Sequence, residues 1–235
     1  MSDIETLILP NQLGSAVLCT PTNSKPKAGV IVVHEWWGLN DYAKGRAKKL
    51  ADLGYAAIAV DMYGHGKTAN NPQEAEEMMN AASAQPEKIN ARFQAAKALL
   101  AKHGNVTAKS IYAVGYCFGG AVVLNQARLG TELAGVASFH GLLETDEPAQ
   151  AGSVNAKVLV ATGGADPMVG PDVVAAFVKE MQNAEVEYQV TSFPNVKHGF
   201  TNPAATENGR KYGMPLCYDE YADIASWDAL LNFMR

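Results

Sequence analysis

Cysteine is scarce and unpaired in this chain. Its 235 residues hold three, Cys19, Cys117 and Cys217, widely spaced and with no C-x-x-C pair. Such usage excludes a disulfide framework and fits free thiols in a reducing cytoplasm. Long apolar runs are missing too: nothing approaches the roughly 18 consecutive residues that a membrane span needs. The opening stretch from Met1 to Pro10 carries acidic residues and no apolar core run, so it does not read as a signal peptide. Positive charge is short, with 19 Lys and Arg against 24 Asp and Glu and a formal net charge of −5. With a pI near 5.5 and no basic cluster, the chain lacks the electrostatic footprint of a nucleic-acid-binding protein. Internal repeats and low-complexity tracts are absent, and no His, Cys or Asp spacing suggests a metal site. What remains is an ordinary globular composition, 48% hydrophobic and 18% charged, with ample material for a core.

Strand-like apolar runs at 29–34, 55–63, 110–117, 133–140, 157–163 and 186–193 alternate with helical patterns at 42–53, 72–82, 86–103, 118–129, 171–183 and 222–234. Proline at or near the start of several helical segments is a helix-start signal. The segment 86–103 places Ile89, Phe93, Ala96 and Leu100 on one face, as an amphipathic helix does. Two short antiparallel strands are expected at 4–9 and 15–20, and Val122 and Val123 read as core. His65 and His103 read as surface residues, and 201–221, rich in Asn, Pro and Gly, as a long loop. The alternation predicts an α/β fold in one domain over 1–235, a mostly parallel central sheet with helices on both faces. Ligands of such sheets sit at the carboxyl ends of the strands. Four clusters fall there: His34-Glu35-Trp36-Trp37-Gly38, the segment around Cys117, Gly163-Gly164-Ala165-Asp166, and Asn195 to Phe200.

The segment Ser110 to Gly120 is the most informative. An apolar run ends at Gly115, Cys117 follows on a tight turn, and Phe118-Gly119-Gly120 opens a helical pattern. This matches the nucleophile elbow G-x-S-x-G with cysteine in place of serine. A glycine-rich turn that binds phosphate or only packs is the alternative, although the dinucleotide pattern G-x-G-x-x-G is absent, because Gly115 is followed by Tyr116 and Cys117. The order Cys117, Asp166, His198 is the nucleophile–acid–histidine order of α/β-hydrolases. In that reading Cys117 attacks a carbonyl and forms a thioester, His198 carries the proton, and Asp166 fixes the imidazole. Taken singly, Asp166 also reads as a turn residue and His198 as a loop histidine. The oxyanion donors are expected to be the N–H groups of Phe118 and Trp36.

These four motifs, with their spacing, resemble the dienelactone hydrolase family over nearly the whole chain. The resemblance implies an α/β-hydrolase fold, no cofactor, a Cys117–His198–Asp166 triad, and a glutamate, here Glu35, that pairs with the resting thiol and gates it. Dienelactone hydrolases proper carry an arginine for the substrate carboxylate four residues after the histidine, where this chain has Asn202. Their second arginine falls in a segment matching 72–82, which here holds Glu74, Glu76 and Glu77 and no basic residue. Without a cationic clamp, a buried carboxylate is poorly held. The pocket is therefore expected to be neutral and apolar, lined by Trp37, Met78, Phe139, His140, Phe200 and Asn202. The expected function is a cytoplasmic hydrolase of neutral or activated esters and lactones that also accepts phosphotriesters. Competing readings are action on an anionic lactone, a non-catalytic binding protein on this fold, and a nucleotide-dependent reductase.

Overall fold

The computed structural model describes residues 2–64 and 66–235, so the surface expectation for His65 lies outside the described residues. The eight strands follow the order β1 (Ser2–Leu9), β2 (Gly14–Pro21), β4 (Ala56–Val60), β3 (Gly29–Val33), β5 (Ile111–Tyr116), β6 (Gly135–Phe139), β7 (Lys157–Gly163), β8 (Tyr188–Phe193) in a mostly parallel sheet with helices on both sides, an α/β architecture. By compactness the chain divides into Met1–Val114 and Gly115–Arg235.

In the first unit, β1 (Ser2–Leu9) and β2 (Gly14–Pro21) form an antiparallel hairpin, and β2 runs antiparallel to β4 (Ala56–Val60). β4 then pairs in parallel with β3 (Gly29–Val33). The sequences GVIVV and AAIAV are buried at every position, as strands covered on both faces must be. Asparagines start the first two helices. Asn40 caps α1 (Asp41–Asp52) by accepting from Ala43 N–H at 3.3 Å. Asn71 accepts from Glu74 N–H at 3.0 Å at the head of α2 (Pro72–Ser83), while Glu74 accepts from Asn70 N–H at 2.9 Å. The first bond satisfies a donor that the first turn leaves open, and the second ties the approaching chain to the helix.

The face of α3 (Pro86–His103) differs from its expected composition. Phe93, Ala96 and Leu100 are buried, but Ile89 is only half-buried and Arg92 takes its place in the core. The guanidinium reaches where an alkyl chain has nothing to offer. Its Nε donates to the Leu13 carbonyl at 2.9 Å and its Nη1 to the Met62 carbonyl at 2.8 Å. His103 is exposed as expected.

In the second unit β5 (Ile111–Tyr116) ends, and α4 (Phe118–Arg128) follows after one residue. β6 (Gly135–Phe139), β7 (Lys157–Gly163) and β8 (Tyr188–Phe193) run parallel in adjacent register. Val122 and Val123 are core residues. Arg128 grips Glu180 of α5 (Pro171–Asn183) through Nε at 2.8 Å and Nη2 at 2.9 Å, a bidentate pair that ties the two helices together.

The expected loop over 201–221 contains a helix, α6 (Ala205–Tyr212), which ends at left-handed Gly213. The chain then returns along the residues around His198: Cys217 N–H donates to the His198 carbonyl and Asp219 N–H to the Phe200 carbonyl, both at 3.1 Å. α7 (Glu220–Phe233) completes the unit. No helix among the described residues is long and apolar enough to cross a membrane.

Arg92→Leu tests the polar part of this core. It leaves a buried and a part-buried carbonyl without their donor and should lower unfolding free energy by about 2–3 kcal/mol in urea titration. A change within about 0.5 kcal/mol would mean the guanidinium bonds contribute nothing net.

Candidate active site

The strand β5 delivers a buried Tyr116, and the chain turns at Cys117 with φ of +53° and ψ of −117°. A non-glycine residue in that region costs of order 1–3 kcal/mol, so neighbouring backbone has to hold it. Cys117 N–H donates to the Phe139 carbonyl at 3.0 Å, and the Cys117 carbonyl accepts from Gly120 N–H at 2.9 Å. The turn closes because side chains are absent on either side. A Cβ on Gly115 would stand 1.9 Å from the Gly119 carbonyl oxygen, and one on Gly120 would stand 2.5 Å from Ser138 Oγ. The sulfur is half-buried at the cap position of α4 and makes no capping hydrogen bond. The helix dipole there favours an anion.

Asp166 and His198 come together through a second close approach. A Cβ on Gly163, at the end of β7, would lie 2.3 Å from the Val196 carbonyl oxygen. Ala165 N–H donates to that same carbonyl at 2.9 Å. The loop after β7 thus lies directly against the loop after β8. Asp166 Oδ1 accepts from Met168 N–H at 2.9 Å, leaving Oδ2 to take His198 Nδ1 at 2.7 Å. Both side chains are buried.

That contact leaves Nε2 as the imidazole's working nitrogen. It is buried and has no hydrogen-bond partner of normal length and angle among the described residues. Even so, the ring feels the sulfur. Burial pulls the His198 pKa down, but the negative charge of Cys117, then the Asp166 hydrogen bond, outweigh it and raise the pKa from 6.5 to about 10. The arrangement favours the protonated form of the His198 ring. Cys19 shows the contrast: a buried thiol with no such partner, pushed up to about 11 by desolvation.

Around this pair the expected pocket residues take defined places. The rings of Phe139, Phe200 and His140 are almost wholly buried. His140 packs edge-on against both His198 and Phe200 with centroids 5.1 Å apart, and its Nε2 meets Thr201 Oγ1 at 2.7 Å. Thr201 escaped the sequence reading; its position directly after His198-Gly199-Phe200 was the available signal. Asn202 turns its Oδ1 back to accept from Ala204 N–H at 3.0 Å, an Asx turn leading into α6. Phe118 is the first residue of α4 and is buried.

The remaining candidates belong to the first unit. Glu35 is buried and Trp36 half-buried in the loop after β3, with the Trp36 and Trp37 rings edge-to-face at 5.1 Å. Met78 is half-buried on α2. Three or more His, Cys, Asp or Glu side chains placed to hold a metal ion do not occur among the described residues.

Fold and connectivity are those of an α/β hydrolase. An alpha/beta hydrolase enzyme from a Medee basin deep-sea metagenome library shares the fold at a TM-score of 0.68 and 13% identity, covering 99% of this chain and 96% of that one. The dienelactone hydrolase family model matches residues 15–235, and the chain belongs to that family. It is similar to a Saccharolobus solfataricus protein named "Putative carboxymethylenebutenolidase", 28% identical over 259 residues, 94% of this chain and 93% of the other. Among solved structures it resembles a dienelactone hydrolase-like promiscuous phosphotriesterase from metagenomic libraries, with 32% identity and a TM-score of 0.89 over 99% of this chain and 97% of that one. The chain is accordingly an enzyme of the carboxylic ester and lactone hydrolase class, with a small-molecule substrate.

The raised pKa of His198 has a signed consequence. Its protonated form is favoured by the fold, so the stability it contributes is complete below pH 6.5 and is lost as pH rises toward about 10. Imidazole 15N NMR should find His198 still protonated at about pH 8.5. In Cys117→Ala its pKa should fall, because the sulfur is the largest raising influence. An unchanged titration in that variant would show that sulfur and ring do not interact.

Proposed function

We propose that Cys117 is the nucleophile and that the reaction runs through a covalent thioester. The observation that carries this reading is the sulfur at a strained strand-to-helix turn, charge-coupled to a buried histidine that Asp166 holds by its other nitrogen. In the proposed cycle the thiolate attacks the acyl carbon, and the oxyanion is received by the N–H groups of Phe118 and Trp36. The His198 imidazolium gives its proton to the departing alcohol. Formation of the thioester removes the sulfur's charge, and with it the largest influence keeping His198 protonated. The neutral ring then serves as base for the water that cleaves the thioester, while Asp166 fixes its orientation. Glu35, a buried carboxylate, is assigned the gating role that the family resemblance implies: a carboxylate paired with the resting thiol would oppose thiolate formation until substrate disturbs the pairing.

Substrate preference follows from missing cations. Asn202 directs its oxygen to the backbone N–H of Ala204, and α2 carries glutamates where a clamp would need a base. We therefore assign neutral, activated acyl groups to a pocket of Trp37, Met78, Phe139, His140, Phe200 and Asn202. Phosphotriesters belong to the same proposal, supported by the likeness to a promiscuous phosphotriesterase. An oxyanion hole also suits a phosphoryl oxygen, and a phosphorus–sulfur bond is more readily hydrolysed than a phosphorus–oxygen one. A single catalytic domain over 1–235 and residence in a reducing cytoplasm, consistent with three free thiols, complete the reading.

Aryl esters and an aryl phosphotriester assayed with Cys117→Ala should show kcat reduced by about 10³-fold or more, with Cys117→Ser partly active on esters and stalling on the phosphotriester. Wild-type rates in the alanine variant would remove the nucleophile from the scheme. Across esters differing only in acyl charge, neutral ones should have the higher kcat/KM. A large advantage for anionic acyl groups would overturn the missing-clamp argument.

A further inference from the structure

The loop after β3 contains a histidine that the proposed reaction does not use. His34 is fully buried, and both of its ring nitrogens are engaged by backbone. Met62 N–H points at Nε2 at 3.1 Å. A backbone N–H can only donate, so Nε2 accepts, and in the neutral ring the proton must then sit on Nδ1. Nδ1 faces the carbonyl oxygen of Glu35, the next residue, and donates to it. Burial lowers the His34 pKa, which keeps the ring neutral and this assignment intact.

The carbonyl so held belongs to the peptide unit that also contains Trp36 N–H. A trans peptide is planar, with its C=O and N–H pointing in opposite directions. Whatever fixes the Glu35 carbonyl therefore fixes where Trp36 N–H points. Gly38 N–H donates to the same oxygen at 3.2 Å, so the carbonyl is gripped from two sides. The next two peptides are pinned as well, Tyr63 Oη–H donating to the Trp36 carbonyl at 2.8 Å and Ala69 N–H to the Trp37 carbonyl at 3.0 Å. The far end is anchored in turn. Asp61 accepts from Tyr63 N–H at 2.9 Å and Gly66 N–H at 2.7 Å, which holds the turn that presents Met62 N–H to His34.

We propose that His34 is a positioning residue for the oxyanion hole, locking the Glu35–Trp36 peptide in the one orientation that offers Trp36 N–H to the developing negative charge. This rests on the assignment of Trp36 as a donor in the proposed reaction. A flipped peptide would present a carbonyl oxygen where a donor is needed, replacing attraction by repulsion. Removing one such donor typically costs about 10²–10³ in kcat. A loosened peptide, which still visits the right orientation, should cost somewhat less.

The test separates chemistry that forms an oxyanion from chemistry that does not. His34→Phe keeps a planar ring and loses both hydrogen bonds. It should lower kcat for ester hydrolysis by about 10- to 100-fold with KM changed less than about threefold. Alkylation of Cys117 by iodoacetamide, a displacement at saturated carbon that develops no oxyanion, should stay within about twofold of wild type. His34→Asn carries an amide N–H near the position of Nδ1–H and should recover most of kcat. Unchanged kcat in His34→Phe overturns the proposal, as does a parallel fall of kcat and alkylation in both variants. A third measurement needs no variant: long-range 15N NMR of the wild-type ring should show the Nδ1–H tautomer, and finding Nε2–H overturns it. Cys117→Ala is read separately, so failure of the thioester mechanism is distinguishable from failure of the positioning role.

Discussion

Backbone approaching backbone more closely than any Cβ allows is the constraint on which the catalytic unit depends. At Gly115 a side chain would lie inside the first turn of α4, and at Gly163 inside the loop that carries His198. The first contact sets the angle between β5 and its helix, and so places Cys117 at positive φ with its sulfur at a helix N-terminus. The second lays the loop after β7 against the loop after β8, and so brings Asp166 to Nδ1 of His198. Neither contact is a strong interaction. Each is a permission granted by a missing atom, and the hydrogen bonds then fill in around it: Cys117 N–H to the Phe139 carbonyl, Ala165 N–H to the Val196 carbonyl.

Electrostatics then separates three groups that sequence alone treats as equivalent. Cys19 and Cys117 are the same side chain. One is buried and pushed up to about 11 by desolvation, while the other stands half-exposed at a helix terminus beside an imidazole. Cys217 is half-buried too, but its sulfur faces the Tyr218 carbonyl and the Thr206 hydroxyl, neither of which is a base. Surroundings, not thiol chemistry in general, set how reactive a cysteine is.

How much of this could be read from the chain depended on whether the relevant signal was local. The helices 86–103 and 171–183 and the strand 157–163 matched their expected limits at both ends, because Pro86 and Pro171 mark helix starts and a glycine ends the strand. The strand expected at 55–63 stops at Val60. Met62 and Tyr63 are apolar and buried, yet Asp61 accepts from the N–H groups of Tyr63 and Gly66 and bends the chain, a turn that apolar count misreads as strand. The helix α6 went unseen because ATENGRKY carries no apolar stripe; its stability comes from contacts that follow it in the chain. Arg92 in the core was invisible for the related reason that its partners, the carbonyls of Leu13 and Met62, lie far away in sequence. The catalytic candidates were legible since glycine spacing and strand ends are local features. The orientation of the loop after β3 was not, being decided by which carbonyl meets which donor.

Two buried histidines show how one residue type is divided between structure and chemistry. His34 has its pKa lowered by burial, and its two ring nitrogens bond backbone, one accepting and the other donating. Nothing anionic is strong enough there to repay the desolvation of an imidazolium, so the ring is useful as a rigid neutral bracket. His198 is buried to a similar degree, but its Nδ1 bonds the Asp166 carboxylate and its ring feels the charge of Cys117, and those influences reverse the sign of the shift. Burial alone would have made both rings alike. The direction each pKa takes is set by the charges the protein places against the ring, weak around His34 and strong enough around His198 to outweigh burial.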